Sequence, residues 1–72
     1  MVKLEVDDYI EGTEVLGTFD KLVFNKVKGW VDEVKGDYVQ IQADDGWEGA
    51  RGTLVYRKYG IIKLEPKERI KV

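Results

Sequence analysis

From Val27 to Gly46 the chain reads VKGWVDEVKGDYVQIQADDG, and its second half alternates strictly between polar and apolar residues. Tyr38, Gln40 and Gln42 fall on one side, and Val39, Ile41 and Ala43 on the other. That period of two marks a half-buried strand. A first arm from about Lys28 to Lys35 precedes it, with Gly36-Asp37 between the arms as a tight turn. Two runs joined so closely can only pair antiparallel, because a parallel partner needs a crossover of a dozen or more residues.

The rest of the chain repeats this rhythm. Glycines at 12, 17, 29, 36, 46, 49, 52 and 60 separate short runs rich in β-branched and aromatic residues. Val2, Leu4 and Val6 alternate in the first run, and Leu22, Phe24 and Val27 follow in the next. Thr53 to Tyr56 and Ile61 to Leu64 supply two more. Strands spaced about ten residues apart, with turns between them, predict a small barrel or sandwich. The best helical window, Asp7 to Leu16, is broken by Gly12 and weakened by Thr13 and Val15. One helical turn is expected near Pro66-Lys67-Glu68, since proline is favoured at the start of a helix.

Seventy-two residues make one domain, 1–72, with one small core. The chain has no cysteine and no histidine. That removes disulfides, thiolate and imidazole metal sites, and histidine acid–base chemistry. No run approaches the roughly 18 apolar residues of a membrane span. The start, MVKLEVDDYIEG, lacks the apolar stretch of a signal peptide, so a cytoplasmic location is expected. Charge is unevenly laid out. Residues 1–20 hold one Lys against six acids, and residues 49–72 hold seven basic residues against two acids. Strands from the two ends are therefore expected to pair and neutralise each other.

None of the motifs carries catalysis. The adjacent pairs Asp7-Asp8, Asp32-Glu33 and Asp44-Asp45 point to opposite faces of a strand and share no site. DDGWEG lacks the ligand spacing of a calcium loop, and GWEGARG lacks the Gly-Lys-Ser/Thr of a phosphate loop. The expectation is a non-enzymatic protein with no cofactor and no metal.

The aromatic residues point to binding. Trp30 is out of phase with Val31, so it faces away from the core if Val31 faces in; Trp47 lies in the glycine-rich segment. Either indole serves equally well as a plug of the core or as a contact. Together with Tyr38, Arg51, Tyr56, Arg57, Lys58 and Tyr59 they form the candidate partner surface. Trp, Tyr and Arg dominate protein interfaces, and the same set stacks on unpaired bases.

The run from Lys28 to Gly46, followed by a last strand ending in Leu64-Glu65-Pro66, resembles SH3-like small barrels, and among them the KOW and Tudor modules. Gly29, Val31 and Val34 match the KOW spacing, Val39 and Ile41 the second strand, and Asp45-Gly46 the turn of Tudor-type domains. The resemblance implies an all-β fold, a small antiparallel five- to six-stranded SH3-like barrel with at most one short helical turn. Val31, Val34, Val39 and Ile41 would build its core. The expected function is a binding module acting through a protein partner, as a small regulator or inhibitor, and existing as a monomer or weak homodimer. The alternative is a nucleic-acid-binding barrel that uses the basic last third and the exposed aromatics.

Overall fold

The computed structural model describes residues 3–18, 20–44 and 52–69. Five strands, β1 (Tyr9–Thr18), β2 (Lys21–Lys35), β3 (Tyr38–Ala43), β4 (Gly52–Tyr56) and β5 (Ile62–Lys63), form one antiparallel sheet in the order β4-β3-β2-β1-β5. A single 3-10 turn, Arg57–Tyr59, separates β4 from β5. The first four strands are a meander, and the last returns to pair with Ile10 and Glu11 of β1. The fold is all-β, as the period-two pattern predicts.

The β2–β3 hairpin has the expected arms and turn, with Lys35 opposite Tyr38. Gly36 takes φ of +47°, a value that costs glycine little and other residues more. A bulge at Asp32 adds one residue to β2, so that Val31 pairs with Ile41 and Val34 with Val39. The bulge is why two valines three residues apart face the same side.

Ile10, Val27, Val31, Val39, Ile41, Ala43 and Val55 form the core, with Leu4 and Ile61 packed against it. Each fully buried Val or Ile contributes about 1.5–3 kcal/mol by leaving water. Val34 is a correction to the expected core. It lies on the core side but at the rim, 40% exposed, beyond the strands that would cover it.

The sheet bends until β1 lies face to face with β4. A methyl group on Gly12 would stand 2.9 Å from Val55 Cβ, so only glycine fits at this crossing. No ladder joins β4 to β1 among the described residues, so the sheet is open rather than a closed barrel.

Three local expectations are overturned. Residues 3–8 are not a strand: Asp8 N–H donates to the Glu5 carbonyl (3.1 Å), and Asp7 takes φ of 74° in the intervening turn. Aspartate tolerates that region better than most residues, and Val6 is left 61% exposed. The Leu22–Val27 run is no separate strand, because β2 continues through it for 15 residues. The single helical turn sits at Arg57–Tyr59 and not at 66–68. There the chain forms no regular element, and the Lys67 carbonyl accepts a tertiary hydrogen bond instead.

The ends of the chain do neutralise each other. Lys63 Nζ lies 3.3 Å from Asp8, and Arg69 pairs with both Asp7 (2.7 Å) and Asp32. Among the described residues no helix is long and apolar enough to cross a membrane.

Candidate binding surface

Of the eight candidate contact residues, five come together, one is buried elsewhere, and Trp47 and Arg51 lie outside the described residues.

Tyr38 and Tyr56 are cross-strand partners on β3 and β4, with ring centroids 6.3 Å apart. The 3-10 turn brings Tyr59 to 6.1 Å from Tyr56, and Tyr59 in turn meets Phe24 of β2 at 5.4 Å. All three contacts are edge-on, the arrangement that ring quadrupoles favour. The result is a row of four rings, Tyr38–Tyr56–Tyr59–Phe24, whose far end is open: Tyr59 is 42% and Phe24 53% exposed.

Two cations flank the row. Lys58 Nζ lies 5.2 Å from the Tyr59 ring centre and 5.9 Å from that of Tyr56. Arg57 is mainly a fastener. Its backbone N–H donates to the Asp37 carbonyl (3.0 Å) and its Nη1 to the Gly36 carbonyl (3.1 Å), tying the β2–β3 turn to the 3-10 turn. Beside this junction opens a hollow of about 650 Å³, walled by Leu4, Ile61 and Tyr56 and bordered by Asp37, Arg57 and Lys58. Tyr38 lines a second hollow of about 290 Å³ with Gln40 and Leu54.

Trp30 does not belong to this surface, which corrects its place among the contact residues. Alternation puts its side chain opposite Val31, as expected, yet it is fully buried. The segment 64–69, outside the sheet, covers it. The indole Nε1–H donates to the Lys67 carbonyl (2.9 Å), and the Tyr9 ring packs 5.2 Å away. Lys67 Nζ lies over both rings and pairs with Asp44 at 2.5 Å, while the Tyr9 hydroxyl donates to the same carboxylate at 2.8 Å. Arg69 fixes the end of the segment through Gln42 (2.6 Å), Asp7 and Asp32.

Charge states follow from these contacts. The Lys67 ammonium and then the Tyr9 hydroxyl hold the Asp44 carboxyl below its usual range, against burial. Burial and the Asp44 hydrogen bond raise the Tyr9 hydroxyl, and Asp44 raises Lys67. The Glu5 backbone N–H lowers Asp8.

Phe24 is the member of the row that the sequence reading placed in a strand run and did not assign to the surface. A signal for it existed. Once Lys28–Lys35 pairs with Tyr38–Ala43, residues before Lys28 extend past the end of β3, and no strand of the described residues pairs with them on that side.

No protein-family model, curated protein or solved structure matches this chain.

Proposed function

We infer that this protein is a non-enzymatic binding module that recognises a partner protein through the Tyr38–Tyr56–Tyr59–Phe24 row and the adjoining hollow, acting as a small regulator or inhibitor of that partner. The observation that carries this reading is the row itself. Four aromatic rings in sequence, partly open to solvent and flanked by Lys58 and Arg57, have the composition of an interface centre. Rings lose little conformational entropy on docking, so a fixed row is a low-cost contact surface.

The nucleic-acid alternative is less favoured by the placement of charge. Lys63, Lys67 and Arg69, three of the basic residues it would draw on, form ion pairs with Asp8, Asp44, Asp7 and Asp32. Cations engaged in this way are not free to displace counterions from phosphates.

The test is affinity capture on the immobilised full chain, from lysate with and without nuclease, beside a Lys58→Glu/Tyr59→Ala variant. This reading expects a partner protein that survives nuclease and is lost with the variant. Loss on nuclease treatment would favour the nucleic-acid alternative. Retention by the variant would place the surface elsewhere.

A further inference from the structure

We propose that the hollow beside the tyrosine row binds an extended acidic–apolar segment of the partner: one apolar side chain enters the hollow, and a neighbouring Asp or Glu meets Lys58. This deepens the partner-binding reading and rests on it.

Three observations carry the assignment. First, the hollow has about 650 Å³ and apolar walls from Leu4, Ile61 and the Tyr56 ring. That lies within the roughly 300–1,000 Å³ of sites that engulf small ligands or side chains. It is already formed, because Arg57 ties the Gly36-Asp37 turn to the 3-10 turn along its border. An occupant therefore meets a rigid rim and loses little energy in shaping it.

Second, the rim holds a cation placed to meet an anion. Arg57, Lys58 and Asp37 border the hollow. The Arg57 guanidinium is engaged with the Gly36 carbonyl. Unlike Lys63, Lys67 and Arg69, Lys58 has no carboxylate of the described residues within salt-bridge distance. Among the described residues its ammonium rests over the Tyr56 and Tyr59 rings. A ring face at an exposed site holds a cation by about 0.5–1 kcal/mol. A carboxylate makes a charge-assisted hydrogen bond that is stronger and directional. The rings thus hold the ammonium in place while leaving its hydrogen-bonding capacity for an incoming anion.

Third, the cation and the apolar cavity are adjacent, since Lys58 itself borders the hollow. An extended segment advances about 3.3 Å per residue. Side chains two positions apart share a face of such a segment, so an acid two positions from the buried apolar side chain reaches Lys58, whereas a basic residue there meets a like charge. A purely apolar or proline-only segment leaves Lys58 unused.

A phage-displayed library of random nonapeptides, selected on the immobilised full chain, tests this, with buried Trp30 fluorescence in a Trp47→Phe background confirming that each variant is folded. The expected result is enrichment of peptides with an apolar residue two positions from Asp or Glu. A synthetic copy of the strongest clone should lose about tenfold in affinity to Lys58→Glu, the scale of one charge-assisted hydrogen bond, and should weaken with added salt. Lys58→Glu should also select peptides with Lys or Arg at the same position. Enrichment of peptides without acids, or binding unchanged by Lys58→Glu but lost in Tyr59→Ala, would overturn the acidic assignment and leave the tyrosine surface standing. Peptides indifferent to Lys58→Glu, Tyr59→Ala and Phe24→Ala alike would overturn both.

Discussion

The Trp30 indole N–H donates to the backbone carbonyl of Lys67, 2.9 Å away and 37 residues later in the chain. Through this bond the segment 64–69 covers the largest fully buried side chain among the described residues. The Lys67 ammonium closes over the same ring and reaches Asp44. A backbone hydrogen bond and an ion pair from one residue thus hold the basic last third of the chain to the β2–β3 hairpin.

Removing residues 66–72 should uncover Trp30. In a Trp47→Phe background, the remaining indole emission is expected to move to longer wavelength. Urea midpoints are expected to fall, because the Trp30 N–H loses its carbonyl and aromatic area returns to water. Emission unchanged by the truncation would mean that the segment does not cover the ring.

Arg69→Ala should destabilise by about 1 kcal/mol. Its guanidinium reaches Gln42, Asp7 and Asp32, but it is partly open to solvent, and screening discounts such pairs. Urea denaturation with an unchanged slope checks the value. The Asp32→Ala/Arg69→Ala double variant should cost less than the sum of the two single changes, as coupled partners do.

The fastening over Trp30 should fail at both pH extremes. The folded Asp44 carboxyl is lowered by Lys67 and Tyr9, and Asp8 by the Glu5 N–H. Their stabilisation is therefore complete above the unfolded aspartate value of about 3.9 and is lost as pH falls through the folded values. Tyr9 and Lys67 are raised, so their contribution is complete below about 10 and is lost as pH rises through the folded values. A plateau of thermal stability between these limits is expected. Asp44→Asn should flatten the acid limb, read as Tm against pH.

Much of this scaffold is legible in residue order, and the failures have physical causes. The hairpin from Lys28 to Ala43 can be read because one face is core and the other is not, which imposes period two. The strand at Tyr9–Thr18 is obscured because Gly12, its point of closest approach to Val55, looks like a turn residue. Alternation correctly turns Trp30 away from Val31, but no local pattern shows that a segment some 37 residues away returns to cover it. The tyrosine row was legible in residue type, and its order depends on the 3-10 turn at Arg57–Tyr59.

Gly12→Val should be strongly destabilising. Even its first side-chain carbon would press on the Val55 side chain at 2.9 Å. Overpacking of this kind costs about 1–3 kcal/mol. The Gly12→Val/Val55→Ala double variant should recover part of the loss in urea melts, since it makes room at the crossing. Equal stability of the single and double variants would contradict the face-to-face placement of β1 and β4.

The central claim is that recognition belongs to the tyrosine row and not to the covered indole. Amide and side-chain chemical-shift mapping of the labelled full chain, titrated with its strongest selected peptide, tests it most directly. The account predicts shifts confined to Leu4, Phe24, residues 36–38 and residues 56–61, with Tyr9, Trp30 and Lys67 unmoved. Shifts centred on Tyr9, Trp30 and Lys67 would contradict it.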